Sequence, residues 1–288
     1  MVVVLEIWVL VILGVSQVLA ISQNFTCNST DLTALKGFMD GLESSIDGWW
    51  PTNSLSISSF NCCNWVGINC NSSSGRIVGL GLPKKRLIGG LSDLISNLDQ
   101  LTKLNLSNNF LTGPIPISLF HLAHLEVIDL SRNGFNGVFL ISIHLPALQE
   151  LDFSDNFFTG SIPGLCVNSS GIRVVKFVVN SLTGIIPSEF RNFSFLTHLC
   201  LASNSLSGAI SEFLFWLPRE LDLQDNMFNS IGGPVSLDVS CNRLSGNLPD
   251  FFVACSIERK REGGDATAAK GAEPPQVTSI EKFDTTWH

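Results

Sequence analysis

Leu101-Thr-Lys-Leu104-Asn-Leu106-Ser-Asn-Asn109-Phe-Leu111-Thr-Gly113-Pro-Ile115-Pro116 is the stretch from which the fold of this 288-residue chain can be read. Leu104 and Leu106 alternate with polar neighbours, so both point to one side of a short extended segment. Asn109 stands where the chain leaves that segment and turns. A buried amide with two donors and an acceptor can satisfy backbone groups that the turn leaves unpaired. Gly113 permits a tight bend, and Pro116 fixes φ and removes a donor on the return path. A strand this short cannot bury an apolar face alone, so the pattern makes physical sense only if copies of it stack.

Copies are present. The same Asn recurs as Asn133, Asn156, Asn180, Asn204, Asn226 and Asn242, with spacings of 24, 23, 24, 24, 22 and 16 residues counted from Asn109. An earlier copy around Leu80, Leu82, Leu87 and Gly89 is in register 24 residues before, with Lys85 at the Asn position. This gives about eight repeats over 76–255, the seventh shortened around Ile231-Gly-Gly-Pro234. With strands about 4.8 Å apart, eight rungs make a body about 35–40 Å long. The expected fold is an α/β repeat solenoid whose short parallel strands line the concave face.

The segment before the repeats reads as an end cap. Thr30-Asp31 looks like a helix start, followed by Leu32, Leu35, Phe38, Met39 and Leu42 at helical spacing. With Trp49, Trp50 and Trp65 this helix would cover the apolar end of the first rung, as repeat arrays require. Cys27, Cys62, Cys63 and Cys70 form a disulfide framework with three possible pairings. Adjacent Cys62 and Cys63 are poorly placed to bond each other. A zinc site is the competing reading, disfavoured by the lack of CxxC pairs.

Export is the other early inference. Val2 to Leu19 is almost wholly apolar, with Val18 and Ala20 at −3 and −1 of a cut after Ala20, so 1–20 reads as a signal peptide. Glu6 replaces the usual basic amino-terminal residues, which leaves an uncleaved anchor as the alternative; the run is short for a span of about 20 residues. Asn-x-Ser/Thr acceptors at Asn24, Asn28, Asn71, Asn105, Asn168 and Asn192 fit a secreted glycoprotein. The 17 basic against 25 acidic residues give −8, which argues against nucleic acid or an anionic membrane as partner.

The L-x-G-x-I-P segments at Leu111 to Pro116, Phe158 to Pro163 and Leu182 to Pro187 resemble the plant-specific class of leucine-rich repeats. Cys62-Cys-Asn-Trp-Val-Gly-Ile-Asn-Cys70 resembles the amino-terminal cap of plant receptor kinases and receptor-like proteins. More narrowly, Asp31-Leu-Thr-Ala-Leu-Lys36, Ile143-His-Leu-Pro-Ala-Leu-Gln149, Ile172-Arg-Val-Val-Lys176 and His198-Leu-Cys-Leu201 resemble the amino-terminal part of phytosulfokine receptors. The likeness covers Cys27 to Phe252. It implies a right-handed superhelix, disulfides Cys27–Cys62 and Cys63–Cys70, and ligand recognition on the inner surface. It also implies that full-length members continue into an island domain, a membrane span and a kinase, none of which this sequence contains.

No catalytic or cofactor motif stands out. Gly264-Asp-Ala-Thr-Ala-Ala-Lys270 lacks the second Gly of a phosphate loop, and His121-Leu-Ala-His124 lacks a third metal ligand. Asp129, Asp152, Asp222 and Asp238 recur at one strand position and read as solvated strand faces rather than an acid–base pair. Binding candidates are the outward strand positions: Lys103, Asn105, Arg132, Glu150, Asp152, Lys176, His198, Glu220 and Gln224. Lys103, Arg132 and Lys176 fall on separate rungs with Glu150 and Asp152 between them, so a clustered basic pocket for a sulfated hormone is not expected.

The organisation read from sequence is thus a signal peptide (1–20), a cap (21–75), the repeats (76–255) and a polar tail (256–288) whose composition suggests disorder or an aberrant gene join. The expected function is an extracellular, non-enzymatic module that binds a peptide or protein ligand and a co-receptor ectodomain, with no cofactor, metal, nucleic acid or further membrane span. The alternatives are a secreted inhibitor of cell-wall polygalacturonases and a non-functional receptor fragment.

Overall fold

Each repeat folds into one coil of a solenoid, and the computed structural model describes residues 27–49, 61–139, 143–165, 171–215, 218–231 and 242. All of these lie in a unit bounded at Cys255. The signal segment, Trp50, Asn24, Asn168, Asp238 and the tail lie outside the described residues.

Strands are numbered in chain order. One sheet holds β1 (Ile68–Cys70), β2 (Ile77–Gly81), β4 (Lys103–Asn105), β6 (Val127–Asp129), β8 (Glu150–Asp152), β10 (Val174–Lys176), β12 (His198–Cys200) and β14 (Glu220–Asp222), adjacent in that order. All pairs are parallel except β1–β2, where the cap closes the sheet edge antiparallel. The register aligns Leu80, Leu104, Ile128, Leu151, Val175 and Leu199 in one inward column. Leu82, Leu106, Leu130, Phe153, Phe177, Leu201 and Leu223 form the next column, each fully buried. Transfer of each such side chain from water contributes roughly 1.5–3 kcal/mol, against about 1 kcal/mol net for a hydrogen bond. Stacking is therefore driven by these columns, and the strands set its register.

A second sheet was not anticipated. β3 (Ile88–Gly90), β5 (Phe110–Gly113), β7 (Gly134–Val138), β9 (Phe157–Ser161), β11 (Ser181–Gly184), β13 (Ser205–Ile210) and β15 (Met227–Ile231) pair in parallel along the flank. Their inward residues Leu111, Phe135, Phe158, Leu182, Leu206 and Phe228 give a third buried column. The glycine at Gly113 has φ +83°, as the bend expected there requires. Pro116 and Pro187 then open short 3-10 segments, Ile117–His121 and Ser188–Asn192, that carry the chain back.

The recurrent Asn does the work expected of it. Asn109 Nδ2 donates to Leu82 O and Leu106 O, both at 2.8 Å, while Oδ1 accepts from Lys85 N and Leu87 N. Asn133, Asn156, Asn180, Asn204 and Asn226 repeat the arrangement. Asn242 continues it, with Oδ1 accepting from Phe228 N and Nδ2 donating to Leu223 O, both at 3.0 Å. The short spacing before Asn242 therefore still brings this Asn onto the ladder. One residue before Asn109, Asn133, Asn156, Asn180, Asn204 and Asn226, and before Lys85 at the equivalent place, the backbone is left-handed: Lys84, Asn108, Arg132, Asp155, Val179, Ser203 and Asp225 have φ between 53° and 58°.

In the cap, α1 (Ser29–Asp40) starts one residue earlier than Thr30 and is capped by Asn28, whose Oδ1 accepts from Thr30 N at 2.9 Å. Asp31 is not a capping residue. It is fully buried, accepts Nε and an NH2 group of Arg76 and also Ile77 N, and so bolts the helix to β2. Leu42 lies beyond the helix, bridging Gly89. Leu35, Phe38, Trp49 and Trp65 are buried in the same core as the rungs. Cys27–Cys62 and Cys63–Cys70 are bonded, 35 and 7 residues apart. In the chain-entropy picture they contribute about 4 and 2 kcal/mol.

Candidate ligand-recognition surface

Outward side chains of the first sheet form two columns. Register places Gly79, Lys103, Val127, Glu150, Val174, His198 and Glu220 in one, and Gly81, Asn105, Asp129, Asp152, Lys176, Cys200 and Asp222 in the other. Seven of the nine candidates therefore stand on strands. Arg132 and Gln224 do not: both follow a strand end, Arg132 in the left-handed turn. They were misplaced because the Asn marks the turn but not the residue at which pairing stops. Val127 and Val174, half-buried on the outward side, went unnoticed because apolar residues were assumed to face inward.

The second column is not a row of freely solvated groups. Asn105, Asp129, Asp152 and Asp222 each accept, through Oδ1, the backbone N–H two residues on, at 3.0, 3.1, 3.0 and 3.3 Å. Ser107 and Ser131 hydroxyls donate to the same oxygens. These are turn-forming side chains that end the strands, a role the Asp/Asn-x-Ser spacing of the first three could have shown.

Beside that column lies an open recess of about 320 Å³. Lys84, Arg132 and Lys176 line it together with Asp152, Asp155, Ser107, Asn108, Ser131 and Ser154. The expectation that the cations stay apart is therefore corrected for Arg132 and Lys176. They converge because the left-handed turn lays Arg132 alongside the strands, and Lys84 joins them from the corresponding turn two rungs earlier. The recess is nonetheless charge-balanced: Arg132 Nε lies 3.4 Å from Asp155 Oδ2, and Lys176 is the direct cross-strand partner of Asp152.

Further along, His198 Nε2 lies 3.4 Å from Glu220 Oε2, and Nδ1 meets Thr197 Oγ1 at 2.9 Å. Cys200 is a buried free thiol; burial, with help from the Glu220 charge, pushes it up to about 11. That is the opposite of an activated nucleophile. His121 closes a 3-10 segment with its Nδ1 against Ile117 O. Among the described residues no three His, Cys, Asp or Glu side chains are grouped to hold a metal ion, and no helix is long and apolar enough to cross a membrane.

The flank contrasts with this face. No residue of β3, β5, β7, β9, β11, β13 or β15 is charged, and Phe110 and Phe157 are 60% and 64% exposed. A small apolar hollow of about 150 Å³ there is lined by Pro114, Ile115, Ile117, Phe120, Val138 and Phe158 among others. It offers few polar groups with which to orient a ligand. Of the Asn-x-Ser/Thr triplets, Asn28 caps α1, Asn71 and Asn105 form turns with the serine of their own triplet, and Asn192 is exposed at the end of a 3-10 segment.

Comparison with known proteins gives this surface a context. The family profile described as Leucine Rich Repeat matches residues 100–122, 147–169 and 233–255. The chain is 47% identical to phytosulfokine receptor 1 of Arabidopsis thaliana over 195 residues, which is 67% of this chain and 19% of that receptor. It is 34% identical to receptor-like protein 6 of the same plant over 75% of this chain and 22% of that one. The chain thus spans about one fifth of these relatives. Among solved structures, the PEPR1–AtPEP1 complex superposes with a TM-score of 0.61 at 27% identity, over 77% of this chain and 36% of the other. The ectodomain of GASSHO1/SCHENGEN3 from Arabidopsis thaliana, in complex with Casparian strip integrity factor 2, gives 0.52 at 25% identity over 76% and 33%.

Proposed function

The chain is a leucine-rich-repeat protein similar to plant receptor ectodomains, and from that premise we propose that it is an exported recognition module, without a catalytic step, that holds an extended peptide or protein segment along its concave sheet. The observation that carries this reading is the division of polarity between the two sheets. Of the two sheets, only the concave one carries charged side chains, in its outward columns, whereas the flank strands carry no charge at all. Seven parallel strands about 4.8 Å apart present a track of about 29 Å, the length of an extended segment of roughly nine residues. Few positions on such a track carry most of the energy. The mixed charges at Glu150, Lys176, His198 and Glu220 suit a ligand of mixed charge rather than a polyanion. That two of the solved relatives are complexes with a second component supports the reading.

The test is selection of phage-displayed nonapeptides on the purified secreted chain, followed by binding to variants. Selected peptides should lose at least about tenfold in affinity for Glu150→Lys and Lys176→Glu and be unchanged by Phe110→Ser on the flank. Peptides that respond to the flank variant and ignore the concave ones would remove the basis of the proposal.

A further inference from the structure

Asn105 differs from every other described side chain in its column. It sits on the concave sheet, in the triplet Asn105-Leu106-Ser107, and its amide is half used. Oδ1 accepts Ser107 N at 3.0 Å and Ser107 Oγ at 2.8 Å, while Nδ2 donates to nothing among the described residues. In each ladder Asn, by contrast, Nδ2 and Oδ1 are both committed. The space beside Asn105 is open as well. Its cross-strand neighbour is Gly81, where an added Cβ would meet only Gly67 O, 3.9 Å away. On the other side, Ser107 is shared between the triplet and the lining of the charged recess.

We infer that Asn105 is a glycosylation site on the recognition face itself, and that its glycan fences the concave track between the cap and the recess. The inference rests on the export reading above. Attachment joins Nδ2 to the first sugar carbon of a lipid-diphosphate-linked oligosaccharide; the carbon–oxygen bond to the lipid diphosphate breaks, and Nδ2 loses one proton. The product is still an amide whose Oδ1 can accept from Ser107, so the turn that ends β4 survives modification. The sugar has bare backbone at Gly81 to lie over and extends beyond one strand spacing of about 4.8 Å, covering Lys103 and the Ser107 side of the recess. A ligand of the glycosylated chain is then confined to the five strands from β6 onward, about 19 Å of the track of the bare chain. The triplet at Asn71 lies in the cap and has no such consequence.

Glycopeptide mapping of the chain secreted from plant cells tests the assignment, together with lysine acylation rates before and after enzymatic deglycosylation. Asn105 should be occupied, and Lys103 should acylate at least about threefold more slowly in the glycosylated protein, with Lys36 on α1 unchanged. The Asn105→Asp variant, which keeps the turn acceptor that Asp129 supplies one rung on, should fold and show the fast rate without treatment. An empty Asn105 in molecules occupied at Asn71 overturns the inference and leaves export standing. Occupancy without any change at Lys103 overturns the fence. Both sites empty in secreted material overturn the inference alone; if the chain stays inside the cell with both sites empty, the inference and the export reading fall together.

Discussion

Replacing Asn109 with Ala should cost far more than the same change at Asn156, although the two residues occupy equivalent places and are equally buried, at 5% exposure. At Asn156 the loss is cushioned. Leu130 O keeps the Asn133 amide, Phe153 O keeps the Asn180 amide, and Ser154 O keeps Arg132 N, so only Phe135 N is orphaned. At Asn109 the previous rung has Lys85 where its own Asn would stand. Leu106 O is still served by Asn133, and Ser107 O by Lys84 N, but Leu82 O, Lys85 N and Leu87 N lose their only side-chain partner. With about 1–3 kcal/mol for each buried orphan and less for the half-buried Lys85 N–H, N109A should destabilise by about 3–5 kcal/mol and N156A by about 1–3. Urea unfolding followed by circular dichroism measures both. Hydrogen exchange should place the N109A damage in the first two rungs, because stability in such arrays is a nearest-neighbour sum. Equal costs, or a loss below about 1 kcal/mol for N109A, would show that the ladder amides do not carry the turn as described.

Three further expectations follow from the geometry. Arg76→Met strands the fully buried Asp31 carboxylate, which should cost about 3–5 kcal/mol and raise hydrogen exchange first across Ser29–Asp40; an unchanged α1 would refute the bolt. Cys200 should resist iodoacetamide at pH 8 in the folded chain and react once unfolded. Its pKa is raised to about 11 from 9.0, so it leaves stability untouched below pH 9 and erodes it as pH rises from 9 towards 11; fast labelling of native protein at pH 8 would contradict this. The sulfated peptide hormone of the phytosulfokine receptors should bind the purified chain no tighter than about micromolar in calorimetry, because Asp155 already pairs with Arg132 and Asp152 stands directly across from Lys176; a nanomolar constant would mean that these carboxylates give way to sulfate.

The parts of the fold legible in the sequence are those set by local chemistry repeated in register. The inward leucines, the Asn at the turn, the bend at Gly113 and the cap cysteines each follow from one residue's shape or hydrogen-bonding capacity. The flank sheet was missed because Phe110-Leu-Thr-Gly113 is too short to announce a strand; it pairs only because the turn before it fixes the register. Asp31 was read as a helix start because its partners, Arg76 and Ile77, are 45 and 46 positions away. The recess escaped for the same kind of reason. Lys84, Arg132 and Lys176 are far apart in sequence, and one pair of them meets only because the turn residues run beside the strands.

The left-handed residue before each ladder Asn has a consequence for how such a surface can change over generations. Elsewhere this backbone conformation selects Gly or Asn, yet here it is held by Lys84, Arg132, Asp155, Ser203 and even the β-branched Val179. The neighbouring Asn or, beside Lys84, Asn109 of the next rung supplies the hydrogen bonds that fix the turn, so the residue itself is released from specifying shape. At a cost of about 1–2 kcal/mol per rung, the solenoid keeps one position in each coil whose side chain is open to selection by whatever is bound. Lys84, Arg132 and Asp155, all at that position, line the recess. The scaffold thus separates the residues that spell the fold from those that spell its specificity, and places the second set one step upstream of the first.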